Sequence, residues 1–183
     1  MPRIPYLDMA DANPEYLAML KGRHDLNLYR MLPHATTIAP GFLKMGGAIL
    51  RESAIDPQLR EIAILRVGIL SNASYEVHQH KRVAKTVGLS DDKIAALQSD
   101  PSSNVFSKLE SLIIRYTDEV VLNVKASDSL FNELLGHLDN RRMAELTLTI
   151  GFYMAVSRFL ENFEVEIEPK PPVSETLVSY SAR

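Results

Sequence analysis

An all-α fold, a bundle of about eight helices with no sheet, is what this sequence predicts. Three observations predict it. Apolar residues recur at spacings of three and four through most of the 183-residue chain. Helix-opening pairs such as Asn13-Pro14, Asp56-Pro57 and Ser90-Asp91 punctuate that pattern. No segment alternates apolar and polar residues convincingly enough to be a strand. The length and the 46% hydrophobic content suit one domain, residues 1–183, with a substantial core.

Residues 1–13 are a Pro- and Asp-bearing lead, expected to be extended. Pro14 opens a short helix to Leu20 with Asn13 as N-cap, and Gly22 ends it. Asn27 to Ala35 is expected to be helical, against the interruption of Pro33. Pro40 starts a third helix, carrying Phe42, Leu43, Met45, Ile49 and Leu50. Gly46-Gly47 lies inside it, a pattern that suits close helix packing or a ligand lying against a thin helix surface. Further helices follow over Pro57 to Leu70, Ser74 to Val87 (with Ser74 a candidate N-cap and Gly88 as C′ residue), Ser90 to Gln98, Val105 to Leu122, Leu130 to Leu138, and Asn140 to about Phe163. Residues 169–183 lack helical period and are expected to be an extended tail, either an arm across a neighbouring subunit or a frayed end.

The informative stretch is Pro57 to Leu89. It reads as two helices joined by the polar turn Ser71-Asn72-Ala73-Ser74. The first is apolar nearly all round, so it should be central, and Glu61 sits on it beside Leu65, Gly68 and Ile69. On the second, Glu76 and His80 share a side with Ala73, Val83, Ala84 and Val87, while His78, Lys81, Arg82 and Lys85 form a solvated stripe. Ionisable groups on apolar faces are costly unless paired or neutralised. Each has a structural reading, as a satisfied polar pair or an ion pair with an arginine, and a functional one, in which all three meet in one pocket.

Composition excludes several classes. A formal net charge of -3 without a basic block does not favour nucleic acid. No run approaches a membrane span, and the first residues lack the apolar core of a secretory leader, so a cytoplasmic location is expected. Cysteine is absent, which removes disulfides and thiol chemistry.

Arg60-Glu61 with Ile64-Leu65-Arg66, then Tyr75-Glu76 with His80, then Ala84 and Gly88-Leu89-Ser90, resembles the carboxymuconolactone decarboxylase family of the alkylhydroperoxidase (AhpD-like) superfamily. The resemblance is strongest over residues 57–97. It implies an AhpD-like helical bundle, homo-oligomers (trimers or hexamers) with interfaces close to the sites, and a small lactone or carboxylic acid as substrate. The peroxidase branch carries a Cys-x-x-Cys pair just before the histidine; Ala73 and Glu76 stand at those places here, so the chain has neither nucleophile nor resolving thiol. The Tyr-Glu version resembles the decarboxylase branch.

Decarboxylating a lactone acid needs an electron sink in the substrate and a proton delivered to carbon. Glu61, Glu76 and His80 are the expected catalytic set: His80 as proton donor or shuttle, one glutamate orienting it, the other held protonated or binding substrate. Tyr75 is either a hydrogen-bond donor to a lactone oxygen or a packing residue. A substrate carboxylate wants a cation; Arg60, Arg66, Arg82, Arg141, Arg142 and Arg158 are candidates, and Arg158, on the long apolar helix, is the one singled out. His34 is read either as lining a pocket mouth or as a surface residue. No cofactor is expected. Metal binding by two carboxylates and one histidine is the rival, but no His-x3-His or Glu-x-x-His pattern supports it, and none is expected. Other Cys-free activities, isomerisation or hydrolysis, and a non-catalytic ligand-binding oligomer are the alternatives.

Overall fold

Every residue of the central helix from Arg60 to Gly68 is buried, and the molecule is assembled around that segment. The computed structural model describes residues 1–169. Its order is α1 (Pro14–Leu20), α2 (Asn27–Met31), α3 (Ala39–Arg51), α4 (Pro57–Leu70), α5 (Ser74–Thr86), α6 (Asp91–Ser99), α7 (Lys108–Asn123), α8 (Asp128–Leu135) and α9 (Asn140–Phe163), with 3-10 turns at Met9–Asp11 and Leu32–His34. No strand occurs among the described residues. The expected tail beyond Pro169 lies outside them.

α4 packs against α5, α7 and α9, and more lightly against α6. Aliphatic burial around it, with Ile62, Ile64, Leu65, Val67, Ile113, Leu146 and Ile150 at 1% exposure or less, supplies the cohesion. Arg66 is buried too, and its fork explains why that is tolerated: Nε and Nη2 reach both oxygens of Asp118, and Nη1 donates to Leu97 O at 2.9 Å. One side chain thereby ties α4 to α6 and α7.

Local chemistry sets the ends of the site-bearing helices. Asp56 Oδ1 accepts from Gln58 N and Leu59 N, opening α4. Asn72 takes the left-handed conformation (φ 52°) just past it, and Ala73 N bonds back to Gly68 O at 2.8 Å. α5 departs from expectation at its start: the N-cap is Ala73, which offers no side-chain bond, and Ser74 is the first helical residue. Glu161 of α9 serves instead, accepting from Ser74 N at 3.2 Å. Gly88, at φ +89°, closes α5 as expected.

Three other boundaries differ. The helix expected over Asn27 to Ala35 gives way at Leu32 to a 3-10 turn containing Pro33. The helix expected from Val105 begins at Lys108, because Ser107 and Glu110 form a reciprocal capping box. The helix expected to reach Leu138 stops at Leu135, ahead of Gly136.

Gly68 fixes how near α5 can come. A Cβ there would lie 3.0 Å from Val77 Cγ2 and 3.5 Å from Glu76 Cγ. With no side chain in the way, α5 seats directly on α4. Glu61, seven residues earlier on the same face of α4, then faces His80 at the middle of α5.

Candidate active site

Glu61, Glu76 and His80 meet. His80 Nδ1 lies 2.6 Å from Glu61 Oε2 and donates to it, which assigns the ring tautomer. His80 Nε2 lies 3.1 Å from Glu76 Oε1. The imidazole is bracketed by two carboxyls, and its exposure is 7%, against 0% for Glu61 and 3% for Glu76. The Tyr153 ring stands edge-on to it at 4.9 Å between centroids. Glu61 also contacts Arg60, whose Nε is 3.4 Å from Oε1. His78 points to solvent, as its face of α5 predicts.

The electrostatics favour an extra proton. Burial pushes the Glu76 carboxyl up to about 7, with Glu61 adding to the rise and His80 opposing it. Burial of the imidazole works against its charge, but Glu61, Glu76 and the hydrogen bond to Glu61 together outweigh it, so the pKa of His80 is raised; Arg60 opposes the rise. The two groups titrate as a pair. Near neutrality the Glu76–His80 pair therefore favours holding an extra proton, and Glu61 bonds the other nitrogen of the ring.

The Glu76 end of the relay opens on a cavity of about 110 Å³ between α2, α3, α5 and α9. Glu76 and His80 line it; Glu61 does not, and stands behind the ring. Glu61 is therefore the group that orients His80, while Glu76 and His80 are the pair a ligand would touch. Glu76 Oε1 is buried and, despite the short approach to His80, makes no hydrogen bond among the described residues. Most of the wall is apolar, with Leu28, Phe42, Leu43, Phe152 and Val156. Gly46 lies against it: a Cβ there would meet the Phe152 ring at 3.2 Å. An enclosed cavity of roughly 150 Å³ holds benzene; this one is smaller but partly open, so it suits no more than a single small ring.

The other sequence-derived candidates divide. Tyr75 lines the cavity, but its hydroxyl donates to Glu168 Oε1 at 2.6 Å and accepts from Leu28 N at 3.4 Å. Burial, then that bond to Glu168, holds the hydroxyl protonated far above its ordinary range. Tyr75 thus packs and positions first. Arg158 is a correction: it is exposed, donates to Met154 O, and does not reach the cavity, because an all-round apolar helix does not reveal which side meets which neighbour. His34 is another: its Nε2 lies 2.8 Å from Pro5 O, on a separate depression near Tyr16.

Of the other arginines named from the sequence, Arg82 lines the cavity and Arg60, Arg66, Arg141 and Arg142 are not among its lining residues. Sequence reasoning missed Arg23 and His24, which line it from the turn between α1 and α2, and Gln79 on α5. The available signal was the Gly22 turn, which carries no periodicity. Glu168 was missed as well: it gathers Asn27 N, Tyr75 Oη and Gln79 Nε2 at 2.6, 2.6 and 2.7 Å, so the C-terminal segment braces the cavity wall. No group of three or more His, Cys, Asp or Glu side chains among the described residues is arranged to hold a metal ion. No helix among them is long and apolar enough to cross a membrane.

An all-helical bundle whose central pair carries a buried Glu–His–Glu relay beside a small cavity defines a recognisable class. The carboxymuconolactone decarboxylase family model matches residues 37–107, which include the whole relay. The uncharacterized protein YnjA of Escherichia coli (strain K12) is 29% identical over 111 residues, a match that spans 60% of each chain. Two solved structures share the fold. One, from Ralstonia eutropha JMP134, is an uncharacterized peroxidase-related protein with an alkylhydroperoxidase AhpD core; it superposes with a TM-score of 0.81 at 11% identity, over 92% of this chain and 93% of that one. The other is a cysteine-to-alanine variant of the debrominase Bmp8 bound to 2,3,4-tribromopyrrole, with a TM-score of 0.75 at 14% identity over 92% and 95%. The family match over residues 37–107 and the shared fold of the whole bundle support a place in the carboxymuconolactone decarboxylase/AhpD-like superfamily. The chain has no cysteine, so the thiol chemistry of a Cys-x-x-Cys site is not open to it.

Proposed function

We propose that this protein is an enzyme that decarboxylates a small lactone carboxylic acid by proton transfer. The observation that supports the reading is the relay itself: His80 Nε2 lies 3.1 Å from Glu76 Oε1 at the wall of a small cavity, with Glu61 held behind the imidazole. In the reaction the bond between ring carbon and carboxylate breaks and CO2 leaves. The electron pair passes into the conjugated carbonyl of the substrate, and a proton is delivered from the Glu76–His80 pair to carbon. Glu61 stabilises the imidazolium at each stage in which the ring holds both protons. The largely apolar wall keeps water from the developing carbanion. Assembly as a homo-oligomer, trimer or hexamer, belongs to the same reading and is measured by sedimentation as a multiple of 20.5 kDa.

The test is incubation with 4-carboxymuconolactone, followed by release of CO2 and formation of the enol-lactone. His80→Ala should lower turnover by about 10²–10⁴-fold, the usual worth of a general acid–base group, with the melting transition retained. Unchanged turnover removes His80 from the mechanism. Product from another lactone acid alone points to isomerisation or hydrolysis by the same relay. Binding without turnover across a panel of acids points to a non-catalytic binding protein.

A further inference from the structure

Between α1 and α2 the chain turns at Gly22, φ +79°, and brings Arg23 and His24 to the cavity wall. Arg23 is held in place. Its Nε donates to Met19 O at 3.0 Å, and its Cζ lies 5.9 Å from the centroid of the Tyr29 ring. Those contacts use one N–H and one face of the guanidinium. Among the described residues Arg23 makes no ion pair, so no carboxylate answers its charge. Beside it, His24 Nε2 is buried with no hydrogen-bond partner among the described residues. Arg82, from α5, lines the same cavity and adds positive charge.

We propose that Arg23 and His24 form a carboxylate-receiving subsite of this cavity, which takes a small ring acid with its carboxylate on the α1–α2 turn. A guanidinium whose Nε is already engaged still presents its Nη donors, the geometry that suits a carboxylate. The unpaired imidazole nitrogen supplies a further hydrogen bond. The other polar part of the wall is the Glu76–His80 pair, where an anion gains no net positive charge because Glu61 and Glu76 flank the imidazole, so the anchored carboxylate belongs on Arg23. Aliphatic and aromatic side chains fill the rest of the wall, which sets the ring between Phe42, Leu43 and Phe152.

This inference rests on the proton-transfer reading for what happens to the ring, and it adds a constraint to that reading. A carboxylate paired with Arg23 is stabilised as an anion, and it would lose that pairing on becoming CO2. The anchored carboxylate is therefore the one retained. A substrate decarboxylated here carries two carboxylates, one on Arg23 and one bound for release.

Binding tests the subsite without any turnover. Titration calorimetry on the full chain compares benzoate with benzamide, a pair of similar shape that differs in charge. Benzoate should bind at least about tenfold more tightly, the worth of a charge-assisted hydrogen bond. Arg23→Gln should erase most of that preference and leave benzamide unchanged; Arg23→Lys, which keeps the charge and loses the fork, should fall between. Thermal melting of each variant establishes that it is folded, and the comparison on the unmodified protein needs no variant. Equal affinity for the two probes, no binding of benzoate, or an Arg23→Gln protein that keeps the full preference overturns the proposal. Charge-selective binding without turnover of 4-carboxymuconolactone leaves the subsite standing and sinks the decarboxylase reading. Charge-blind binding with turnover intact does the reverse.

Discussion

His80 answers to two carboxyls, and they have different tasks. Glu61 is fully buried, takes Nδ1, and has no surface on the cavity. Glu76 faces Nε2 and the cavity together. Glu61→Gln keeps the shape and removes the charge that, with its hydrogen bond, holds the imidazole pKa up. The His80 pKa should therefore fall in that variant, and the acid form of the relay should be lost at lower pH. NMR titration of the ring and the pH profile of turnover both read this; a His80 pKa that stays put would deny Glu61 the orienting role. These three residues were legible in the sequence because helical period placed each of them on a face that is otherwise apolar. Arg23 and His24 were not, since a turn has no period against which a charged residue stands out. Arg158 misled for the opposite reason: α9 is apolar over most of its surface, so period alone could not assign a cavity-facing side.

At the scale of the element, glycine and capping positions decide what the relay can reach. Gly68 permits the seating of α5 on α4, and the pattern of Pro57 to Leu89 exposed that pair of helices before any coordinates. Boundaries were less legible, because caps depend on tertiary partners: α5 borrows Glu161 from α9 to begin, and nothing near Ser74 in the sequence says so. One helix end carries strain. Val124, at the C-cap of α7, sits at φ 68° and is 88% exposed. A β-branched side chain is disfavoured there, and with ψ at -35° the position lies outside the left-handed helical well, so Gly is the residue that adopts it freely. Val124→Gly should raise stability by about 1 kcal/mol. Chemical denaturation measures it, with turnover unchanged because the residue is remote from the cavity. A loss of stability would mean that Val124 is covered by a partner.

For the whole molecule, the buried relay shapes how stability depends on pH. Three carboxyls outside it are depressed, Glu110, Glu119 and Glu145, with the bond from Ser127 N lowering Glu119. Burial opposes the charge of Glu110, but Lys93 and Ser107 outweigh it; burial likewise opposes that of Glu145, but Arg141, Ala54 N and Ser53 outweigh it. Their contributions are lost as pH falls through their folded values, below the ordinary 4.5, so on that side stability rises with pH. Glu76 has the opposite sign. Its folded value is about 7 against 4.5 unfolded, so between those limits the native state holds more protons than the unfolded chain and stability falls as pH rises. His80, raised above 6.5, extends the fall past neutrality. The protein should thus be most stable on the acid side of neutrality, and less so at about pH 8 than at about pH 5. Glu76→Gln removes the titrating group and should flatten the decline between those two conditions, leaving the His80 share. Urea denaturation of both proteins across that range measures the difference. A wild-type curve that rises toward pH 8, or two curves that run parallel, would mean that Glu76 is ionised in the native protein and holds no proton for the cavity.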